Sequence, residues 1–87
     1  MNAQHNSPNL KVQIGAVGIR ARWVPVADFA AASRVCREFI ETHDLGASRW
    51  RGGRVVDAAT KKTVATVSYN GRVWLPDCTE VRFVGGR

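Results

Sequence analysis

The sequence predicts an α+β fold, with one helix packed on an antiparallel sheet of about four strands in the order β-α-β-β-β(-β). Three observations predict it. Apolar residues recur at helical spacing between Asp28 and Asp44, and the runs on either side alternate apolar with polar residues as half-buried strands do. The dipeptide Asn70-Gly71 stands between two β-prone runs, the strongest short-range hairpin signal.

The helix is the most sharply defined element. Phe29, Ala32, Cys36, Phe39 and Ile40 form one apolar stripe, with Val35 at its edge. Asp28 can cap the first turn by accepting from a free backbone N–H. Arg34 and Glu38, and Arg37 and Glu41, are i,i+4 pairs on the opposite side, each contributing about 0.2–0.5 kcal/mol. The helix is expected to run to about His43 or Asp44, where Gly46 supplies a left-handed stop. His43 in the last turn is explained by the helix dipole and by capping of free carbonyls.

Before the helix, Leu10, Val12 and Ile14 share one parity, whereas Val17, Ile19, Ala21 and Trp23 share the other. The phase changes at Gly15-Ala16-Val17-Gly18, so a bulge, a bend or two short strands are expected there. Arg20 and Arg22 then face away from Ile19, Ala21 and Trp23, and Pro25 ends the run. After the helix, a strand from Ser48 or Arg49 to Val56 is interrupted at Gly52-Gly53, which indicates a bulge or a late start. Asp57 to Lys61 reads as a short hairpin loop. In the strand from Lys62 to Tyr69, Val64, Thr66 and Ser68 fall on one face and Thr63, Ala65, Val67 and Tyr69 on the other. A two-residue turn at Asn70-Gly71 sets Tyr69 opposite Arg72, Ser68 opposite Val73 and Val67 opposite Trp74. Directly paired residues share a face, so Val67, Tyr69, Arg72 and Trp74 are expected together, beneath the helix. Val81 to Val84 adds a short edge strand.

The 87 residues make one small domain over residues 10–87, burying roughly 60–65% of the unfolded surface. The polar residues 1–9 read as a disordered tail. No apolar run approaches the ~18 residues of a membrane helix, and the N-terminus lacks the apolar centre of a secretory signal. The expectation is a cytoplasmic protein without a membrane partner. Cys36 and Cys78 are too few for a disulfide framework and lack zinc-ligand spacing. Cys36 falls on the core face of the helix, where a thiol acts as a small hydrophobe.

No phosphate-binding loop, nucleophile elbow, zinc-protease or dinucleotide motif occurs, and metal ligands are scattered. The expectation is a non-enzymatic protein with no catalytic residues, no metal and no cofactor. The net charge of +6 is concentrated in the strands: residues 45–76 carry +5, while residues 27–44 carry −2. Lys and Arg neutralise phosphates, and Trp and Tyr stack on bases. The candidate binding residues are therefore Arg49, Trp50, Arg51, Arg54, Lys61, Lys62 and Arg72. The expected partner is nucleic acid, or alternatively an acidic host protein inhibited or bound by the module. The two-sided charge also allows a homodimer, with an acidic helix face meeting a basic sheet face.

Arg37-Glu38-Phe39-Ile40, Leu45-Gly46-Ala47-Ser48 and Ser68-Tyr69-Asn70-Gly71-Arg72-Val73-Trp74 resemble segments of short uncharacterised proteins carried by integron cassettes, plasmids and phages. The resemblance covers the middle half of the chain and carries no assigned activity or site residue. It implies a bacterial mobile-element setting, in which small basic proteins are often accessory binders of DNA or of host proteins.

Overall fold

The fold is α+β, as the periodicities require. A computed structural model describes residues 9–82. Strands β1 (Leu10–Ala16) and β2 (Ile19–Val26) precede the helix α1 (Phe29–Thr42), and β3 (Arg54–Asp57), β4 (Thr63–Val67), β5 (Val73–Trp74) and β6 (Glu80–Val81) follow it. A single 3-10 turn, Ala47–Arg49, lies between α1 and β3. The strands form one sheet in the order β2-β1-β3-β4-β5-β6, antiparallel throughout. Six strands thus replace the expected four or so, because the first run folds back on itself and β6 pairs with β5. The expected tail at residues 1–9, apart from Asn9, and the end of the last strand beyond Arg82 lie outside the described residues. The Asn9 carbonyl accepts from the Ala58 N–H at 2.8 Å.

One face of the sheet is buried under the helix. Val12, Ile14 and Ala16 of β1, Val26 of β2, Val55 of β3, Ala65 and Val67 of β4 and Val73 of β5 meet Ala32, Cys36, Phe39 and Ile40 of α1. Each fully buried Val or Ile contributes roughly 1.5–3 kcal/mol of transfer free energy. Cys36 is completely enclosed, and burial pushes its thiol up to about 12 from the usual 9.0. Among the described residues, no helix is long and apolar enough to cross a membrane.

Asp28 caps α1 as expected, accepting from the Ala31 N–H at 2.8 Å. The C-terminal stop differs. Gly46 is extended (φ −87), and Asp44 takes the left-handed conformation (φ 53). The Leu45 N–H reaches the Ile40 carbonyl (3.0 Å) and the Asp44 N–H reaches that of Glu41 (3.2 Å), the paired bonds of a Schellman ending. The buried Leu45 sits where this motif places its hydrophobic contact, so a short polar residue tolerates the strained position and Gly46 is not needed there.

The phase switch near residue 16 is a hairpin: β1 and β2 turn at Val17-Gly18, with a register shift between Ile14 and Ala16. Pro25 does not end β2, which continues to Val26. An edge strand leaves one side of its backbone unpaired and so accepts Pro. Beyond α1, Gly52-Gly53 delays the strand until Arg54. Gly53 has φ +103, and a Cβ there would collide with the Val67 carbonyl oxygen. The close approach of the two backbones is sealed by hydrogen bonds from the Gly53 N–H to the Gln13 carbonyl and from the Val67 N–H to the Gly53 carbonyl, both 2.7 Å. The alternation expected in β4 holds from Ala65 on. Below it the pairing passes from Ala65 to Thr63, skipping Val64, and Thr63 lies on the far face from the helix.

The second hairpin corrects the expected register by one residue. Its loop contains three residues, Tyr69-Asn70-Gly71, with bonds from the Gly71 N–H to the Ser68 carbonyl (2.9 Å) and from the Ser68 N–H to the Arg72 carbonyl (2.8 Å). Gly71 is left-handed (φ +89), but Asn70 is not, so the primed two-residue turn is not formed. Val67 pairs with Val73 and Thr66 with Trp74. With a side-chain period of two, this single-residue difference moves Trp74 from the helix face to the other face. Tyr69 stays with the helix: its hydroxyl donates to the Leu45 carbonyl (2.8 Å), and its own carbonyl accepts from Arg37 Nη1 (2.7 Å).

Candidate functional site

The face of the sheet away from α1 carries no covering element among the described residues. The strand registers align one row of side chains across it. Trp23 pairs with Gln13; the β1–β3 register, continued one step past Val12–Val55, places Gln13 beside Arg54, where the Gly53 N–H meets the Gln13 carbonyl; Arg54 pairs with Thr66, Thr66 with Trp74 and Trp74 with Glu80. Two tryptophans therefore flank a central arginine. Trp23 is 41% exposed, which is unusual for so large an apolar ring and marks it as available for contact.

Trp23, Lys11, Arg54, Val56 and Lys61 line a shallow groove of about 210 Å³. Val56 is only 4% exposed but belongs to this face, outside the core cluster beneath the helix. It gives the groove an apolar floor. Arg54 is held by its Nε donating to Thr63 Oγ1 at 2.7 Å, leaving the rest of its guanidinium toward solvent. Lys61 is placed by a left-handed residue conformation (φ 67) at the end of the β3–β4 loop. Its N–H donates to the Asp57 carbonyl at 2.7 Å.

The carboxylate nearest in sequence does not neutralise this cluster. Asp57 Oδ1 accepts from the N–H groups of Ala59 (2.8 Å) and Thr60 (3.0 Å), folding its own loop. The Thr60 bond and then the Ala59 bond hold its carboxyl below the usual carboxylate range. Among the described residues, Lys11, Arg54 and Lys61 have no carboxylate within 4.0 Å, whereas Arg37 on the helix pairs with Glu41 at 3.2 Å. These three cations of the open face therefore keep their charge unpaired among the described residues.

A second shallow groove, about 290 Å³, lies at the other end of the row between Ser68, Tyr69, Asn70, Arg72 and Trp74. Arg72 is 4.0 Å from Glu80, and Arg82 is 3.8 Å from the same carboxylate. Both pairs are exposed on the arginine side, so each is weak and screened by salt.

The expected binding residues divide into two groups. Arg54 and Lys61 line one groove of the open face, Arg72 lines the second groove at the other end of the row, and Lys62 is exposed beside Lys61 without lining either. Arg49, Trp50 and Arg51 belong elsewhere, in the segment that pairs with Gly15–Val17. The Trp50 ring packs half-buried toward the helix, 6.1 Å from Phe39. Arg51 Nη1 donates to the carbonyls of Ser48 (2.8 Å) and Trp50 (3.0 Å), bracing its own loop. Lys11, Gln13, Trp23, Val56, Thr66 and Trp74 were not among the expected site residues. The parity of Trp23 against Arg20 and Arg22 was legible, but which residues neighbour it depends on pairings between distant segments.

His43 sits at the helix end with its ring 4.4 Å from that of Phe39. Among the described residues, no group of three or more His, Cys, Asp or Glu side chains is placed to hold a metal ion. Comparison with protein-family models, curated protein sequences and solved structures finds no match to this chain.

Proposed function

We propose that the protein is a non-enzymatic nucleic-acid-binding module acting through the open face of its sheet. The observation that carries this reading is the exposed Trp23 ring set among Lys11, Arg54 and Lys61, three cations without carboxylate partners among the described residues. Cations of this kind attract phosphates and release their condensed counterions, and the indole offers a sequence-tolerant stacking surface. The same chemistry suits a small accessory protein of a mobile element, the setting its sequence resembles. Arg72, at the far groove, adds a further phosphate contact whose pairing with Glu80 is weak enough to be exchanged.

Fluorescence anisotropy of labelled mixed-sequence oligonucleotides tests the proposal. Three or four phosphate contacts give a slope of log K against log salt of about −2 to −4. Lys11→Glu, Arg54→Glu and Lys61→Glu should each weaken binding and flatten that slope, while Arg34→Glu on the helix should not. Absence of binding at low salt overturns the proposal. Binding of poly-glutamate as tightly as nucleic acid overturns it too, in favour of an acidic protein partner.

A further inference from the structure

We infer that the ligand is an unpaired strand, lying across the β-strands along the row Trp23–Gln13–Arg54–Thr66–Trp74. The inference rests on the nucleic-acid reading and adds the form of the ligand, its path and the two stacking positions. The geometry of the row carries it. Trp23 and Trp74 are four strand spacings apart, about 19 Å at the usual inter-strand distance. Arg54 is midway between them, two strands from each. Gln13 and Thr66, on the intervening strands, place an amide and a hydroxyl between each indole and the arginine. The row thus repeats the same order outward from its centre: a cation for the backbone, a hydrogen-bonding side chain for a base edge, and an aromatic face for a base.

Duplex fits this surface poorly for two physical reasons. Its base faces are already stacked on one another, so neither indole has a partner. Groove reading requires an element that protrudes into the groove, such as a helix or a two-stranded ribbon, whereas this face is an open sheet whose helix is on the other side. Sheet twist sharpens the distinction. Four successive strand-to-strand rotations accumulate about 80–100° between the ends of the row, so the two indoles present differently oriented faces. A flexible single strand can turn to meet both. A stiff, regularly stacked duplex cannot.

The far end of the row has its own boundary. Glu80 follows Trp74 and is shared by Arg72 and Arg82. The row ends there at β6, the last strand of the sheet, and at the free edge of β2, beyond Trp23, on the other side.

The test uses the full chain carrying Trp50→Phe, so that emission comes from Trp23 and Trp74 alone. Homopyrimidine strands of about 4 to 16 nucleotides, which cover the usual range of site sizes, are titrated beside duplexes of matching length. The expected result is quenching of emission by the single strand, with the single strand bound more tightly than the duplex. Trp23→Ala and Trp74→Ala should each weaken single-strand binding by about 5- to 100-fold and leave duplex binding unchanged. Trp23→Phe and Trp74→Phe should restore most of it. If truncation of the half-buried Trp74 unfolds the chain, the quenching and the preference for single strand over duplex, both read on the Trp50→Phe chain, still decide the test. Duplex binding equal to single-strand binding, without quenching, overturns this inference while leaving the nucleic-acid reading intact. No binding of either form overturns both.

Discussion

The three-residue turn that carries Trp74 to the open face makes a discriminating prediction about Asn70 and Gly71. Gly71 is left-handed (φ +89), whereas Asn70 is not. Ala at a left-handed position costs about 1–2 kcal/mol from the clash of Cβ with the following carbonyl. The added Cβ would also lie 3.1 Å from Arg37 Cγ and 3.3 Å from Ser33 Oγ. The arginine stem can move, but Ser33 is fixed by donating its hydroxyl proton to the Gly71 carbonyl at 2.6 Å. Gly71→Ala should therefore cost about 1.5–2.5 kcal/mol, at the upper end of the backbone penalty and slightly beyond. Asn70→Ala removes one exposed side-chain bond to Ser68 and should stay within about 0.5 kcal/mol. Urea unfolding followed by circular dichroism measures both. With a slope of about 1 kcal/mol per molar urea, Gly71→Ala lowers the midpoint by roughly 1.5–2.5 M and Asn70→Ala by less than about 0.5 M. A primed two-residue turn needs positive φ at both positions. Equal losses in the two variants would refute the three-residue loop, and with it the placement of Trp74 beside Thr66.

Further outcomes are expected elsewhere. Gly53→Ala should cost at least about 3 kcal/mol, or abolish folding, because φ +103 and the Val67 carbonyl both exclude a Cβ; a thermal melt near that of the parent chain would contradict the β3–β4 approach. Asp28→Ala should cost about 1 kcal/mol by freeing the Ala31 N–H, and Asp28→Ser should recover most of it. Cys36 is buried and Cys78 exposed, so a thiol reagent should titrate one thiol in the native protein and two in denaturant. Because burial raises the folded-state value of Cys36 to about 12 from 9.0, its contribution to stability is fully present below pH 9 and is lost as pH rises from 9 toward 12. Cys36→Ala should remove that alkaline component from the unfolding profile; an unchanged profile would show that Cys36 is not buried as a neutral thiol.

The same turn shows where local reasoning stopped. Asn70-Gly71 correctly marks a reversal between β4 and β5, but the dipeptide is compatible with a two-residue or a three-residue loop. The choice was made by groups 24 to 38 residues away in sequence: Ser33 on the Gly71 carbonyl, Arg37 on the Tyr69 carbonyl and Leu45 on the Tyr69 hydroxyl. These bonds tie the loop to the helix and favour Val73, not Trp74, as the residue that enters the core. The candidate site was legible to a similar degree. Arg54, Lys61 and Arg72 stood out by charge, but Arg49, Trp50 and Arg51 stood out equally and belong to a braced loop and the edge of the core. Nothing in composition separates the two groups, because Trp and Arg serve packing as readily as binding.

The residues by themselves determined what short-range chemistry can determine. A 3.6-residue apolar period, an Asp at its start and alternation in the flanking runs require a capped amphipathic helix and half-buried strands, since those patterns have one efficient way to bury their apolar faces. Gly52-Gly53 likewise announced a place where the chain leaves regular pairing. Tertiary structure alone decided which strands became neighbours. Bringing Trp23 into line with Arg54 and Trp74 requires residues 13, 54 and 66 to adopt a common register across five strands. That register is set by the fit of Val12, Val55, Ala65, Val67 and Val73 against Cys36 and Ile40 on the opposite face. The open face is positioned by the packing of the buried one, because a sheet cannot shift one face without shifting the other.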